Sequence, residues 1–308
     1  MHVELVETTT PDQLELWGAL GQAEQERIAP RLVICLHGVA SNFYASPMMA
    51  EIAAGLNRQG LDVLRVNTRG HDACAHLRSA QGGRRLGAAF EVVDDCRLDI
   101  SGWLQWASSR GYQDVVLLGH SLGGLKVIYS ESRQASPQVS AVIALSPPRL
   151  SSQAFQASDV SELYQEDLQL AQQKVAAGQA EDLIKVQVPL PLLITARGYL
   201  DKYGPGERYN LLNFIDQVRV PLLVTYGGLE LQQRSIAFAG MKDAITQQTA
   251  GTDQWPGTVR TIEGANHSYQ GKVESLLEVI SQWLAADREN PMVKEPDGYS
   301  PQAKTAGP

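Results

Sequence analysis

The sequence predicts an α/β protein: a mostly parallel sheet of about eight strands flanked by helices. Three observations predict it. From residue 31 onward, apolar runs of strand length alternate with amphipathic runs of helix length, the pattern of a parallel sheet covered on both faces. The run Val115-Val116-Leu117-Leu118 leads directly into Gly119-His120-Ser121-Leu122-Gly123, and a helix-compatible stretch, Leu125 to Tyr129, follows. With 308 residues, 44% of them hydrophobic, the chain can bury the core that such a sheet requires.

Residues 3–8 and 13–20 read as two strands around a Pro11-Asp12 turn. Arg31 to Leu36 is apolar and β-branched enough for a buried strand, ending at His37-Gly38. Ser46-Pro47 opens a helix, serine as cap and proline at the first position, that runs to Arg58 and stops at Gly60. Leu61 to Val66 is the next strand, and a loop with Gly70, Gly82, Gly83 and Gly87 follows. Phe90 to Ser109 is predicted as one long amphipathic helix closed by Gly111, with Asp94, Asp95 and Asp99 on its solvated face. After the Gly-x-Ser-x-Gly segment come strands at Val139–Leu145, Pro221–Tyr226 and Thr258–Ile262, a helix over 231–249 and a last helix over Lys272–Ala286.

Residues 149–218 break the alternation, because ordinary connections are far shorter. They hold a Gln- and Glu-rich helical stretch (159–177), the apolar run Leu190 to Ile194, and a loop bearing Tyr199, Tyr203 and Tyr209. The expected organisation is a core of 1–148 and 219–287, a cap of 149–218 over the strand ends, and a disordered tail of 288–308, which is polar and without periodicity.

Charge and cysteine usage bound the partners. A formal charge of -8 argues against nucleic acid, since phosphate binding needs clustered Lys and Arg. Three scattered cysteines (Cys35, Cys74, Cys96) form no metal-ligand spacing and point to reduced thiols in a cytoplasmic setting. No signal peptide is expected, because Met1-His2-Val3-Glu4-Leu5 has no basic region followed by an apolar stretch, and no membrane span, because no stretch of about 18 apolar residues occurs. No metal or organic cofactor is called for, and a homodimer is as compatible with this composition as a monomer.

The chemistry sits in Ser121. A serine between a strand and a helix, flanked by two glycines, is the layout of a strained nucleophile lifted above the sheet edge. An attacking hydroxyl needs a base, and the base needs an acid to hold its tautomer. In this layout the order along the chain is serine, acid, histidine. His267, between the last strand and last helix, is the candidate base, and Glu230, just past the strand Pro221–Tyr226, the candidate acid, with Asp216 and Asp253 as alternatives. The oxyanion formed on attack needs two backbone donors: Leu122 supplies one, and the loop after Leu36 the other, with Val39 first and Ala40 second.

Together His37-Gly38, Gly119-His-Ser-Leu-Gly123, Glu230 and Gly264-x-x-His267 resemble the α/β-hydrolase superfamily over residues 31–148 and 219–286. Asn67-Thr-Arg-Gly-His71-Asp72, Leu86-Gly-Ala-Ala-Phe90 and Asp95-Cys-x-x-Asp99-Ile are similar to a branch that includes fungal siderophore esterases. The resemblance implies the α/β-hydrolase fold and hydrolysis of a small-molecule carboxylic ester through an acyl-enzyme. Glu230 departs from the Asp that many members carry. Acyltransfer and amide, thioester or carbon–carbon bond cleavage are open to the same site, and a non-catalytic ligand receptor is the reading from another class.

Other residues have structural readings beside functional ones. His37, Ala40, His120, Tyr199 and Tyr203 are candidates to contact substrate, with loop bracing or cap packing as the alternative. His71, Asp72 and Arg69 read as loop architecture, and Lys126 as a structural or surface residue.

Overall fold

The computed structural model describes residues 3–25, 31–233, 235–250 and 255–289. In chain order the strands of the main sheet are β1 (Val3–Thr9), β2 (Glu15–Gly21), β3 (Arg31–Leu36), β4 (Asp62–Val66), β7 (Asp114–His120), β8 (Val139–Leu145), β11 (Leu222–Gly227) and β12 (Gly257–Ile262). They lie in the order β1-β2-β4-β3-β7-β8-β11-β12. β1 and β2 pair antiparallel with each other, and β2 pairs antiparallel with β4. The remaining neighbours are parallel. The fold is thus the mostly parallel eight-stranded α/β sheet that the alternating pattern predicts. β3, β7 and β8 are central, which explains their unbroken apolar runs: both faces are covered.

Helices α1 (Pro47–Arg58) and α9 (Val273–Glu289) pack on one face, around Val33, Val116, Ile143 and Leu223. On the other face lie α2 (Cys96–Ser109) and α3 (Leu122–Arg133), around Ile34, Leu117, Val142 and Val224. Ser46 caps α1 by accepting the Met49 N–H. The connection between β8 and β11 carries α4 (Ser152–Gln156), α5 (Ser161–Ala176), the antiparallel pair β9 (Leu183–Val186) and β10 (Leu192–Thr195), and α6 (Ala196–Tyr203).

Several expectations need correction. α2 starts at Cys96 rather than Phe90, after a 3-10 turn over Val93–Asp95, because Glu91 is drawn into a buried ion cluster. Asp99 is not on a solvated face but fully buried, bound to Arg69. The glycine-rich loop contains a short hairpin, β5 (Ala75–Leu77) with β6 (Arg84–Leu86). The helix expected over 231–249 is two, α7 (Gly228–Gln232) and α8 (Met241–Thr249), with Gly240 in the left-handed region at the start of α8. Tyr199 and Tyr203 lie on α6, not in a loop. The tail expected from 288 is helical to Glu289, and residues 290–308 lie outside the described residues.

Candidate active site

Ser121 follows the last residue of β7 and precedes α3, with φ 54° and ψ -123°. A non-glycine residue in that region is strained, and such strain collects where a side chain must be presented. Neighbouring glycines make the turn possible. A Cβ on Gly119 would fall 2.2 Å from the Gly123 carbonyl oxygen, and one on Gly123 2.5 Å from that of His37. The turn is pinned from below, where the Ser121 N–H donates to the Leu145 carbonyl at 2.8 Å.

Glu230, on the short helix α7 that follows β11, and His267, on the loop after β12, converge. His267 Nδ1 lies 2.5 Å from Glu230 Oε1. A carboxylate can only accept here, so Nδ1 carries the hydrogen and Nε2 is left as the basic nitrogen. Glu230 is 1% exposed, and its other oxygen accepts from the Ser146 hydroxyl at 2.6 Å and the Gly227 N–H at 3.1 Å. Glu230 therefore caps its own short helix and orients the imidazole at once. Ser146, itself at φ +49°, also contacts the Tyr269 hydroxyl, which Thr225 braces from the far side. Sequence reasoning missed Ser146 and Tyr269. The hint was positional, since Ser146 directly follows β8, the strand paired with β7 that leads into Ser121.

The alternative acids are not at this rim. Asp216 lies in a 3-10 turn before β11, at the opposite end of that strand. Asp253 lies outside the described residues.

Ser121 and His267 line one cavity of about 470 Å³, with Val39 and Leu122 in its wall. Leu150, Leu190 and Tyr203 come from the long connection after β8, and Phe238 packs against the His267 ring at 4.7 Å between centroids, tilted by 42°. His120 also lines the cavity. Its Nε2 meets the His267 carbonyl at 2.9 Å, and burial and then the neighbouring His267 push its pKa down to about 4. It stays neutral and braces the loop that carries His267. Tyr203 is the one predicted cap tyrosine in the wall. Tyr199 is fully buried and donates to the Val188 carbonyl, so packing explains it. His37 and Ala40 do not line the cavity among its described residues. Ala40 instead takes the strained turn at φ 51°, and His37 lies buried behind the loop.

His71 and Asp72 pair at 2.7 Å on a loop tied to Asn42 and Tyr44, outside the cavity lining, in keeping with loop architecture. Lys126 is 1% exposed and paired with Glu91. Among the described residues, no group of three or more His, Cys, Asp or Glu could hold a metal ion. None of the described helices is long and apolar enough to cross a membrane.

The whole architecture has solved counterparts. GrgF, an α/β hydrolase from Penicillium sp. sh18, superposes with a TM-score of 0.69 at 18% identity, over 93% of this chain and 99% of that one. Est1E from Butyrivibrio proteoclasticus, solved with ferulic acid bound, gives 0.63 at 17% identity, over 92% and 99%. The esterase domain of a Rhodothermus marinus protein gives 0.58 at 17%, over 93% and 99%. At these identities the likeness is one of fold. No curated protein matches the chain's sequence. Residues 33–275 match the family described as the alpha/beta hydrolase family, a span that holds the strained serine, the buried glutamate and the histidine it orients, and the chain belongs to that family.

Proposed function

We propose that this protein is a serine esterase acting on small-molecule carboxylic esters through a Ser121–His267–Glu230 triad. The observation that carries the reading is the His267 Nδ1–Glu230 Oε1 contact, which frees Nε2 as a base in the cavity that Ser121 also lines. His267 takes the Ser121 proton as the oxygen attacks the ester carbonyl. The Leu122 and Val39 N–H groups hold the oxyanion. Glu230 stabilises the imidazolium, which then protonates the leaving alcohol. Water, activated by the same histidine, attacks the acyl-enzyme and releases the acid. The connection 149–218 serves as a cap, contributing Leu150, Pro189, Leu190 and Tyr203 to the wall.

A panel of p-nitrophenyl esters of varied acyl length tests the activity. Ser121→Ala is expected to lower kcat by at least about 10³ with the thermal midpoint unchanged. An active-serine fluorophosphonate should add its mass to Ser121 alone. Near-normal turnover by Ser121→Ala, or labelling elsewhere, would end the triad reading.

A further inference from the structure

Behind the oxyanion loop runs a buried polar chain that the reaction scheme does not use. The Glu91 carboxylate receives Lys126 Nζ on one oxygen and Lys202 Nζ, at 3.0 Å, on the other. All three side chains are at most 2% exposed. The chain approaches so closely that a Cβ on Gly70 would lie 1.8 Å from Glu91 Oε1. Lys126 Nζ also reaches the Thr68 hydroxyl at 3.1 Å, and that hydroxyl lies 3.1 Å from His37 Nε2. His37 Nδ1 lies 2.8 Å from the Gly38 carbonyl, which also accepts the Ser41 N–H at a longer 3.3 Å.

The direction of every hydrogen follows from the donors. An ammonium only donates, so Thr68 accepts from Lys126 and its own hydrogen is free for His37 Nε2. The Thr68 N–H lies 3.1 Å from the same nitrogen and can only donate. Nε2 is therefore the acceptor and Nδ1–H donates to the Gly38 carbonyl. That carbonyl shares a trans peptide unit with the Val39 N–H, and the two point in opposite directions. Holding the carbonyl toward His37 aims the Val39 N–H away from it, and Val39 lines the cavity.

We propose that Lys126, Thr68 and His37 are positioning residues that lock the Gly38–Val39 peptide with its N–H presented to the oxyanion. This rests on the serine-esterase reading above. Burial, and then the charge of Lys126, push the His37 pKa down to about 3, so Nε2 remains an acceptor at working pH. Glu91 accepts from the Lys126 and Lys202 ammonium groups and offsets the charge buried beside Thr68. With only the longer Ser41 N–H contact left, the peptide can rotate and turn its carbonyl toward the oxyanion, which loses one donor and adds a repulsive dipole.

The test compares Thr68→Val, Thr68→Ser and Lys126→Met in the full chain, with kcat and KM on one ester and affinity for a trifluoromethyl ketone carrying the same acyl group. That ketone accepts the Ser121 oxygen at its carbonyl carbon, and its oxygen becomes a trapped oxyanion. Thr68→Val is expected to lose about fivefold or more, and Lys126→Met about tenfold or more, in both kcat and ketone affinity, with KM within twofold. Thr68→Ser, which keeps the hydroxyl, should stay near wild type. A folded Thr68→Val with wild-type kcat and ketone affinity overturns the proposal even if Lys126→Met fails to fold. So does a loss carried by KM with ketone affinity unchanged. A wild-type protein that neither hydrolyses the ester nor binds the ketone removes the serine-esterase reading itself, and is distinguishable on that ground.

Discussion

Glu230 carries two tasks with one carboxylate. One oxygen meets His267, and the other is held by Ser146 and the Gly227 N–H. Replacing it by glutamine keeps the shape but removes the charge that favours the imidazolium. Glu230→Gln is expected to cut kcat by about 10²–10⁴ at nearly constant KM. Ser146→Ala leaves the carboxylate two of its partners and should cost no more than about tenfold. Steady-state kinetics on one ester checks both, and a Ser146→Ala loss as large as that of Glu230→Gln would assign the serine a direct part. These residues differ in how readable they were. Ser121, Glu230 and His267 are legible because a strained turn, a strand end and the order of the three leave few other candidates. Ser146 and Thr68 were not, because their partners lie 84 and 31 residues away and no periodicity marks a contact of that kind.

Elements were legible where burial is simple. β3, β7 and β8 are apolar throughout because both faces are covered, and α1 announces itself through Ser46 and Pro47. The errors fall where polar groups go inside. The segment before α2 reads as part of one long amphipathic helix from Phe90, yet Glu91 turns inside to meet Lys126 and Lys202. Burial would raise the Glu91 pKa, but the two ammonium groups outweigh it and hold it at about 2. This cluster joins α3, from the core, to α6, from the inserted connection, so its loss should be felt as lost stability. Glu91→Gln strands two buried lysines and is expected to cost about 3–5 kcal/mol in urea unfolding. Adding Lys126→Met to it should recover part of that loss, since one stranded charge is gone. A double variant that simply sums the two losses would show that the charges are not coupled.

For the molecule as a whole, two desolvated histidines, the buried His37 and the half-buried His120, set the response to acid. His37 and His120 have pKa values held down to about 3 and about 4, in both cases by burial first. The unfolded chain offers the same imidazoles near their ordinary value of about 6.5. Between pH 6.5 and about 4 the unfolded state therefore binds more protons than the folded one, and stability falls as pH falls. Each histidine contributes a slope of up to about 1.4 kcal/mol per pH unit in that window. Glu91 acts lower down. Its ionised form stabilises the folded state fully above the usual carboxylate range near 4.5, and that contribution fades as pH drops toward about 2. Urea midpoints at pH 7, 6, 5 and 4 should thus decline before any carboxylate titrates. His120→Gln should remove about half of the slope that these two histidines supply between pH 6 and 5, whereas Glu91→Gln should leave that stretch unchanged and flatten the curve only below about 4.5. A midpoint that holds level from pH 7 to 5 would mean that His37 and His120 take up protons in the folded protein, which would also remove the acceptor on which the fixed Gly38–Val39 peptide depends.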